Sequence, residues 1–550
     1  MPNRTAQVTR TRTEPKGRHL AGALAGLLAG TAGVAAAEAV VALVTGVTSP
    51  VLAVANRAVD VTPRPVKEWA IETFGDADKV VLISGVIGTV GLLALAAGVL
   101  GVRRPRVAVG LFLLLSAIAA VAAVTDRAAT ASVVLRLLPV FALVGVGLIA
   151  LLFLLRPLRP VPDERSAQLG RAGSDSGKSR RVLLGDHVEG DDLPPAFDRR
   201  GFLKAVLAVS AVATTGGLVS RQFGDLAASA SRAGVMVPKP TSPAPALAAG
   251  ATLDVPGITP YLTPNSSFYR VDTALRVPDV PIEDFTLRIH GMVDKELELS
   301  FEDLLERRLV ERRITLTCVS NPVGGDLMGN ATWIGVPMHE LLAEAGVQAG
   351  ADAVKSTSAD DFTIGTPLPV LLDEKREALV AIAMNGDPLP IEHGFPVRMV
   401  TPGLYGYVSA TKWLVDLEVT RFTDFKAYWT TRGYAAEAPI KTSSRIDVPR
   451  SFARVTAGKT PVAGVAWSQD RGIDKVEVRV DDEDWARARL AEEDNLNTWR
   501  QWVWEWDATP GSHKLEVRST DSTGYTQTSR RVPIAPDGST GWDSVDVTVS

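Results

Sequence analysis

Four apolar runs in the first 155 residues constrain this chain more than any other feature: one beginning near Leu20, then 80–100, 107–124 and 133–155. Each is close to the ~20 residues that carry an α-helix across about 30 Å of hydrocarbon. They predict a four-helix transmembrane anchor over 1–156. Glu38 falls in the first run, but a helix starting near Leu20 brings it toward the far interface, where a carboxylate costs little. Mean hydropathy is positive, +0.13, and the membrane-like segments are confined to the first 220 residues.

Basic residues orient the anchor. The N-terminal tail (Arg4, Arg10, Arg12, Lys16, Arg18), the turn Arg103-Arg104-Pro105-Arg106 and the segment after Arg156 are rich in Lys and Arg. The loop 56–79 instead mixes basic residues with Asp60, Glu68, Glu72, Asp76 and Asp78. Both ends of the four-helix unit are therefore expected in the cytoplasm. Residues 157–197 lack apolar periodicity and read as a flexible cytoplasmic linker. In 198–222, Asp198-Arg199-Arg200-Gly201-Phe202-Leu203-Lys204 precedes an Ala-rich apolar stretch that is expected to stay as a fifth helix. The stretch resembles a twin-arginine export signal, the alternative being an ordinary basic helix flank. Either way the remainder crosses the membrane, and Ala227-Ala228-Ser229-Ala230 leaves cleavage open. Residues 223–252, rich in Pro, Ala and Thr toward their end, are expected to be a tether.

Formal net charge is only −4, so nothing asks for a nucleic-acid partner. One cysteine in 550 residues excludes an intramolecular disulfide, zinc ribbons, cysteine-ligated iron–sulfur clusters and CxxCH haem attachment within this chain. That cysteine, Cys318, stands where the β-branched run Ile314-Thr315-Leu316-Thr317 gives way to a loop rich in Asn, Pro and Gly. A strand ending in such a loop presents its last side chain at a rim, where sites are usually built. A thiol there serves as nucleophile, redox sensor or soft metal ligand, or is simply a small buried hydrophobe.

Residues 253–437 alternate short β-rich runs with helical ones, and Ser300 leads an S-x-x-[DE] cap, giving an α+β domain. G-x-G-x-x-G, P-loop and G-x-S-x-G motifs are absent, so nucleotide binding and an α/β-hydrolase lack support. Residues 438–550 read as short strands between turns, with clear alternation in Val476-Glu477-Val478-Arg479-Val480. An immunoglobulin-like β-sandwich is expected. Trp499, Trp502, Trp504 and Trp506 form an aromatic cluster, its even members on one strand face, suited to core packing.

The succession TPNSSFYRVD (263–272), TLRIHGMVD (286–294), the Cys318 loop with ATWIGVPMHELL (331–342), and HGFPVRMVTPGLYGYVSATKWL (393–414) resembles the molybdopterin domain of the sulfite oxidase family. Stretches within 438–550 are similar to that family's C-terminal dimerisation domain, whereas the helical anchor is not covered. The resemblance implies a molybdopterin cofactor with one molybdenum and Cys318 as its thiolate ligand. It implies that Arg398 and Lys412 grip the cofactor's phosphate and that His393 contacts the pterin. Asn265, Phe268 and Tyr269 match the N-terminal cofactor contacts. Ser409 and Ala410 lie in a loop that donates backbone N–H groups, and Ser358 is carried over as a further contact. Tyr434 keeps the spacing of the family's active-site tyrosine and is the candidate for proton handling. Arg432 is the candidate charge for an anionic substrate.

One departure matters. Sulfite oxidases carry Arg-Asn-His after the aromatic pair, where this chain reads Arg270-Val271-Asp272, and Asp272 would repel an oxyanion. The expected function is a multi-pass membrane oxidoreductase with its catalytic and C-terminal domains outside the cytoplasm, oxidising sulfite. The alternatives are reduction of S-oxides with the same cofactor, or a non-enzymatic exported scaffold or adhesion protein. With no histidine expected inside the membrane helices, haem is not expected in this chain. A cytochrome or quinone enzyme is then the redox partner, and a homodimer through the C-terminal domain is expected.

Overall fold

Apolar length governs the first part of the chain and alternation the second. The computed structural model describes residues 16–44, 47–63, 66, 78–126, 131–158, 201–211, 214, 226–274 and 277–550. Its contacts divide the chain into two units, Met1–Gly224 and Asp225–Ser550.

In the first unit, helices Lys16–Leu43, Asp78–Arg103, Pro105–Thr125 and Val133–Leu155 account for the four apolar runs. Among the described residues, four helices here are long and apolar enough to cross a membrane. Ala21, Ala25, Ala29 and Ala32 of the first helix share a buried cluster with Leu151, Leu154 and Leu155 of the last, because small side chains let helix backbones approach closely. A fifth helix, Pro50–Val61, is capped by Ser49, whose hydroxyl also donates to Glu38. Glu38 is thus a capping partner. The first helix begins earlier than expected and takes in His19, correcting the expectation that no histidine lies in these helices. Residues 201–211 are helical; the Arg199-Arg200 pair lies outside the described residues.

The second unit opens with two sheets. Strands β1 (Leu287–Gly291), β2 (Leu297–Leu299), β5 (Ala353–Ser358), β6 (Thr363–Pro367) and β10 (Leu414–Thr420) form one, in the order β2-β1-β10-β5-β6. Its β1–β10 pair is parallel. The other has β3 (Val310–Thr317), β4 (Met328–Pro337), β7 (Leu379–Met384) and β8 (Asp387–Pro388) in that order, with β9 (Arg398–Val400) on β7. A shared core containing Leu287, Ile289, Leu417 and Val419 from the first and Val336, Val380 and Ile382 from the second joins them. The Ser300 cap forms as a reciprocal box with Asp303.

Residues 443–549 supply two more sheets. Strands β11 (Ser443–Val448), β13 (Gly458–Trp467), β16 (Arg489–Leu490) and β17 (Arg500–Ala508) run in the order β11-β13-β17-β16. Strands β12 (Arg454–Val455), β14 (Ile473–Val480), β15 (Ala486–Arg487), β18 (Gly511–Asp521) and β19 (Asp543–Val549) run β12-β19-β18-β14-β15. Val462, Trp502 and Trp506 of the first sheet and Val476, Val478, Leu515 and Val517 of the second share one core, with Trp504 packed against it. Trp499 lies in a different cluster, its indole N–H donating to the Tyr261 carbonyl at 3.0 Å.

The expected tether is not loose. Helix Leu226–Gly234 is held by Asp279, which accepts the Ala228 N–H at 2.7 Å, and by Arg232, which donates to the Pro388 and Leu389 carbonyls. Further on, Thr241 N–H donates to Leu309 and Glu311 N–H to Ser242, laying this Pro-rich segment along β3. The physical reason is that β3 ends its sheet, and an extended chain satisfies its outward-facing backbone groups.

Trp333 on β4 is fully buried, with its indole N–H on the Ile314 carbonyl at 3.2 Å. Trp333→Ala is expected to destabilise this unit by about 3–5 kcal/mol, read as a lower denaturant midpoint of the solubilised protein.

Candidate active site

The segment after β3, the loop 263–274, the end of β5 and the stretches 393–413 and 429–434 converge on one cavity. Cys318, Tyr269, His393, Arg398, Lys412 and Tyr434 all line it, with Phe268, Ser358 and Ala410. Segments more than 160 residues apart along the chain are thus brought together by the two sheets.

Cys318 is buried, and its Sγ accepts the Ser320 N–H at 3.4 Å. Burial pushes the thiol's pKa up, opposed by the Ser320 donor and the positive charge of Lys412. A metal on the sulfur would favour the thiolate further.

Arg398 opens β9 and is only 5% exposed. It donates to the His393 carbonyl at 3.0 Å and lies 5.0 Å over the Trp333 ring. Its Nε is buried without an acceptor, and it forms no ion pair with a carboxylate among the described residues. Burial lowers its pKa to about 10. A buried guanidinium lacking its counter-charge is a site for an anion. Lys412 does have one: Nζ lies 2.7 Å from Asp272, which offsets part of the burial that lowers its pKa to about 8.

Gly394, at φ +112, makes the turn between these groups possible. A Cβ there would stand 3.0 Å from Cα and Cβ of Lys412 and 3.1 Å from Cβ of Arg398, and the positive φ already favours glycine, which lets these two segments pack closely. His393 Nε2–H donates to the Asn265 carbonyl at 3.2 Å. Burial, with the charges of Arg398 and Lys412, holds His393 down at about 4, neutral near pH 7. Phe268 stands edge-on to His393 and to Trp333 and stacks on Tyr269, whose pKa burial raises.

Three expected site residues do not line the cavity. Asn265 stands behind it, its side chain bonded to Asn385 at 2.8 Å. Ser409 is buried, and the backbone N–H groups of Ser409 and Ala410, expected to serve the cofactor, donate instead to the Gly406 carbonyl at 3.3 and 3.0 Å. Arg432 lies 3.5 Å over the Tyr428 ring and donates to the Tyr428 carbonyl. Tyr434 does line the cavity, packed against Trp429 and Tyr407 at ring distances of 5.2 and 5.5 Å. Sequence reasoning did not single out Asp360, Phe362 or Tyr407, which also line the wall. Asp360 follows Ser358 at the β5–β6 turn and carries no motif; burial raises its pKa.

A lone thiol facing buried cations, one lacking a counter-charge, fits an anionic group that also bonds sulfur. Residues 274–429 match the oxidoreductase molybdopterin binding domain. The sulfite oxidase of Gallus gallus is 30% identical over 322 residues, spanning 50% of this chain and 70% of that protein. This chain belongs to the sulfite oxidase family. Its cofactor is molybdenum bound to molybdopterin, and the cavity's donor set suits that group. The mitochondrial sulfite oxidase of Homo sapiens is 28% identical over 305 residues, 47% of this chain and 55% of that protein. The chain thus spans about half the length of that relative. A Bacillus subtilis protein described as an uncharacterized oxidoreductase, YuiH, is 35% identical over 175 residues, 31% of this chain and 84% of its own.

Two outcomes are expected of the family's basic cleft. Arg398→Met should leave the protein folded while its molybdenum and pterin content falls at least about tenfold, read by metal and pterin analysis. In cofactor-free protein, His393 titrates lower than its unfolded value of 6.5, so the unfolded chain binds the proton first as pH falls. Stability is therefore lost between about pH 6.5 and 4, by up to about 3 kcal/mol, and His393→Gln should remove that loss in denaturant titrations.

Proposed function

We propose that the protein is a membrane-anchored oxidoreductase that transfers an oxygen atom to or from a small sulfur compound outside the cytoplasm. The observation that carries this reading is the thiol of Cys318 sharing one cavity with the buried, acid-free Arg398. When bound, molybdenum–molybdopterin supplies a two-electron redox centre and an oxygen-atom acceptor or donor. Cys318 holds the metal, while Arg398 and Lys412 hold the anionic tail. Neutral His393 packs against the pterin without adding charge. Tyr434 holds or moves a proton at its phenol oxygen beside the reacting sulfur.

The family's first substrate is sulfite, which gains an oxygen from water and releases two electrons and two protons. The wall favours the second reading, reduction of an S-oxide. Its charged residues are Arg398, Lys412, Asp272 and Asp360. With both cations committed to the cofactor and Asp272 paired to Lys412, the charge left in the wall is Asp360, among apolar and neutral polar residues such as Val271, Phe362, Thr273 and Ser320. An uncharged S-oxide meets no repulsion there. Its sulfur–oxygen bond breaks as two electrons and two protons arrive, and the oxygen leaves as water. A cytochrome or quinone enzyme exchanges those electrons. The basic loops support an extracytoplasmic catalytic unit, Arg199-Arg200 fits export of an already folded protein, and we read 438–550 as an immunoglobulin-like dimerisation domain.

Cys318→Ser is expected to reduce turnover at least about 100-fold, beyond the 10–100-fold typical of losing a group that only supports a metal ligand. The wild type, loaded with one molybdenum per chain, should reduce dimethyl sulfoxide with a reduced viologen at least about ten times faster than it oxidises sulfite with a dye. The reverse ratio would restore sulfite; wild-type turnover in Cys318→Ser would remove the metal assignment.

A further inference from the structure

The loop that carries the thiol is shaped from behind by the C-terminal part of the chain. At the outer edge of β3, Thr315 N–H donates to the Asn497 carbonyl at 3.0 Å, and the Thr315 carbonyl accepts the Gln469 side-chain amide at 2.7 Å. Past Thr317 the backbone leaves the sheet, and two carbonyls of the loop 318–327 take donors from the C-terminal part. The Asn321 carbonyl accepts the Ser539 hydroxyl at 2.8 Å, and the Gly325 carbonyl accepts Arg445 Nη1 at 2.7 Å. Arg445 is itself buried and fixed by Asp447 at 2.8 Å and Thr259 at 2.9 Å. Between the two carbonyls, Gly324 has φ +78 and lies so close to Asp543 that a Cβ would stand 2.2 Å from its Oδ1.

The loop's internal bonds connect those anchors to the sulfur. Asn321 Oδ1 accepts the Leu327 N–H at 2.9 Å, Cys318 N–H donates to the Leu327 carbonyl at 3.0 Å, and Ser320 N–H reaches Sγ. A shift of the 321 or 325 carbonyl is therefore transmitted to the donor on the thiol and to its direction.

We propose that Arg445 and Ser539 are positioning residues for Cys318, holding the loop in the shape that presents its sulfur to the metal. The proposal rests on Cys318 being the metal's thiolate ligand. Neither residue lines the cavity, so their effect runs through the loop. Misplacing a reacting group by about 1 Å can cost on the order of 100-fold in rate, whereas a residue that only stabilises the fold leaves a loaded enzyme unchanged.

The test uses the full chain as wild type, Ser539→Ala and Arg445→Lys, each purified with its cofactor and also from a host unable to make molybdopterin. In loaded protein with wild-type molybdenum content, kcat for dimethyl sulfoxide reduction is expected to fall about tenfold with KM unchanged. The electron paramagnetic resonance spectrum of the partly reduced metal should shift. In cofactor-free protein, the rate of Cys318 alkylation by iodoacetamide should change at least about threefold. A wild-type spectrum together with a wild-type alkylation rate in Ser539→Ala overturns the proposal, even if Arg445→Lys fails to fold. Failure of the underlying reading looks different: wild-type protein without molybdenum, or Cys318→Ser with the wild-type spectrum.

Discussion

The end position of β3 in its sheet is the constraint on which the site depends. A strand with one unpaired edge leaves backbone donors and acceptors that must find partners once buried. Here they are met from both sides in sequence. Thr241 and Ser242 serve the start of the strand, and Asn497 and Gln469 serve Thr315 just before the thiol. Arg313, two residues earlier, is locked to Asp494 by a two-pronged ion pair at 2.6 and 2.7 Å. The strand that delivers Cys318 is therefore rigid although it is not central.

Charge is handled differently at the two cations. Lys412 keeps Asp272 as a partner, so its ammonium is partly compensated inside the protein. Among the described residues Arg398 has only carbonyl acceptors and an aromatic face, an arrangement that favours an anion beside it. Guanidinium suits this role because burial does not readily deprotonate it, while its flat shape still stacks on Trp333. Holding His393 neutral fits the same logic. A third positive charge beside these two would be repelled by both.

Much of this was legible in the chain itself. The four membrane-length helices follow from apolar run length, and the strands of 443–549 from alternation, with boundaries shifted by a few residues. Cys318 was visible because it is alone and stands where a β-run meets a Gly/Pro loop. What could not be read was side-chain direction and edge pairing. Asn265 sits in a cofactor-contacting motif, yet its side chain bonds Asn385 behind the wall, and the N–H groups of Ser409 and Ala410 turn back to the Gly406 carbonyl. Arg432 looked like an anion contact but stacks on Tyr428, an interaction without a spacing signature. The Pro- and Ala-rich stretch before 252 has the composition of a linker. Only the unmet edge of β3, invisible in one dimension, shows why it lies flat.

The partners of Thr315 and of the thiol loop also set an order of events during synthesis. Asn497, Gln469, Arg445 and Ser539 leave the ribosome more than 120 residues after Cys318, so the thiol loop cannot take its final form on a partly translated chain. Loading of the pterin is thus expected only after Ser539 has been made, and a chain stopped before Arg445 would present no finished receptor for it.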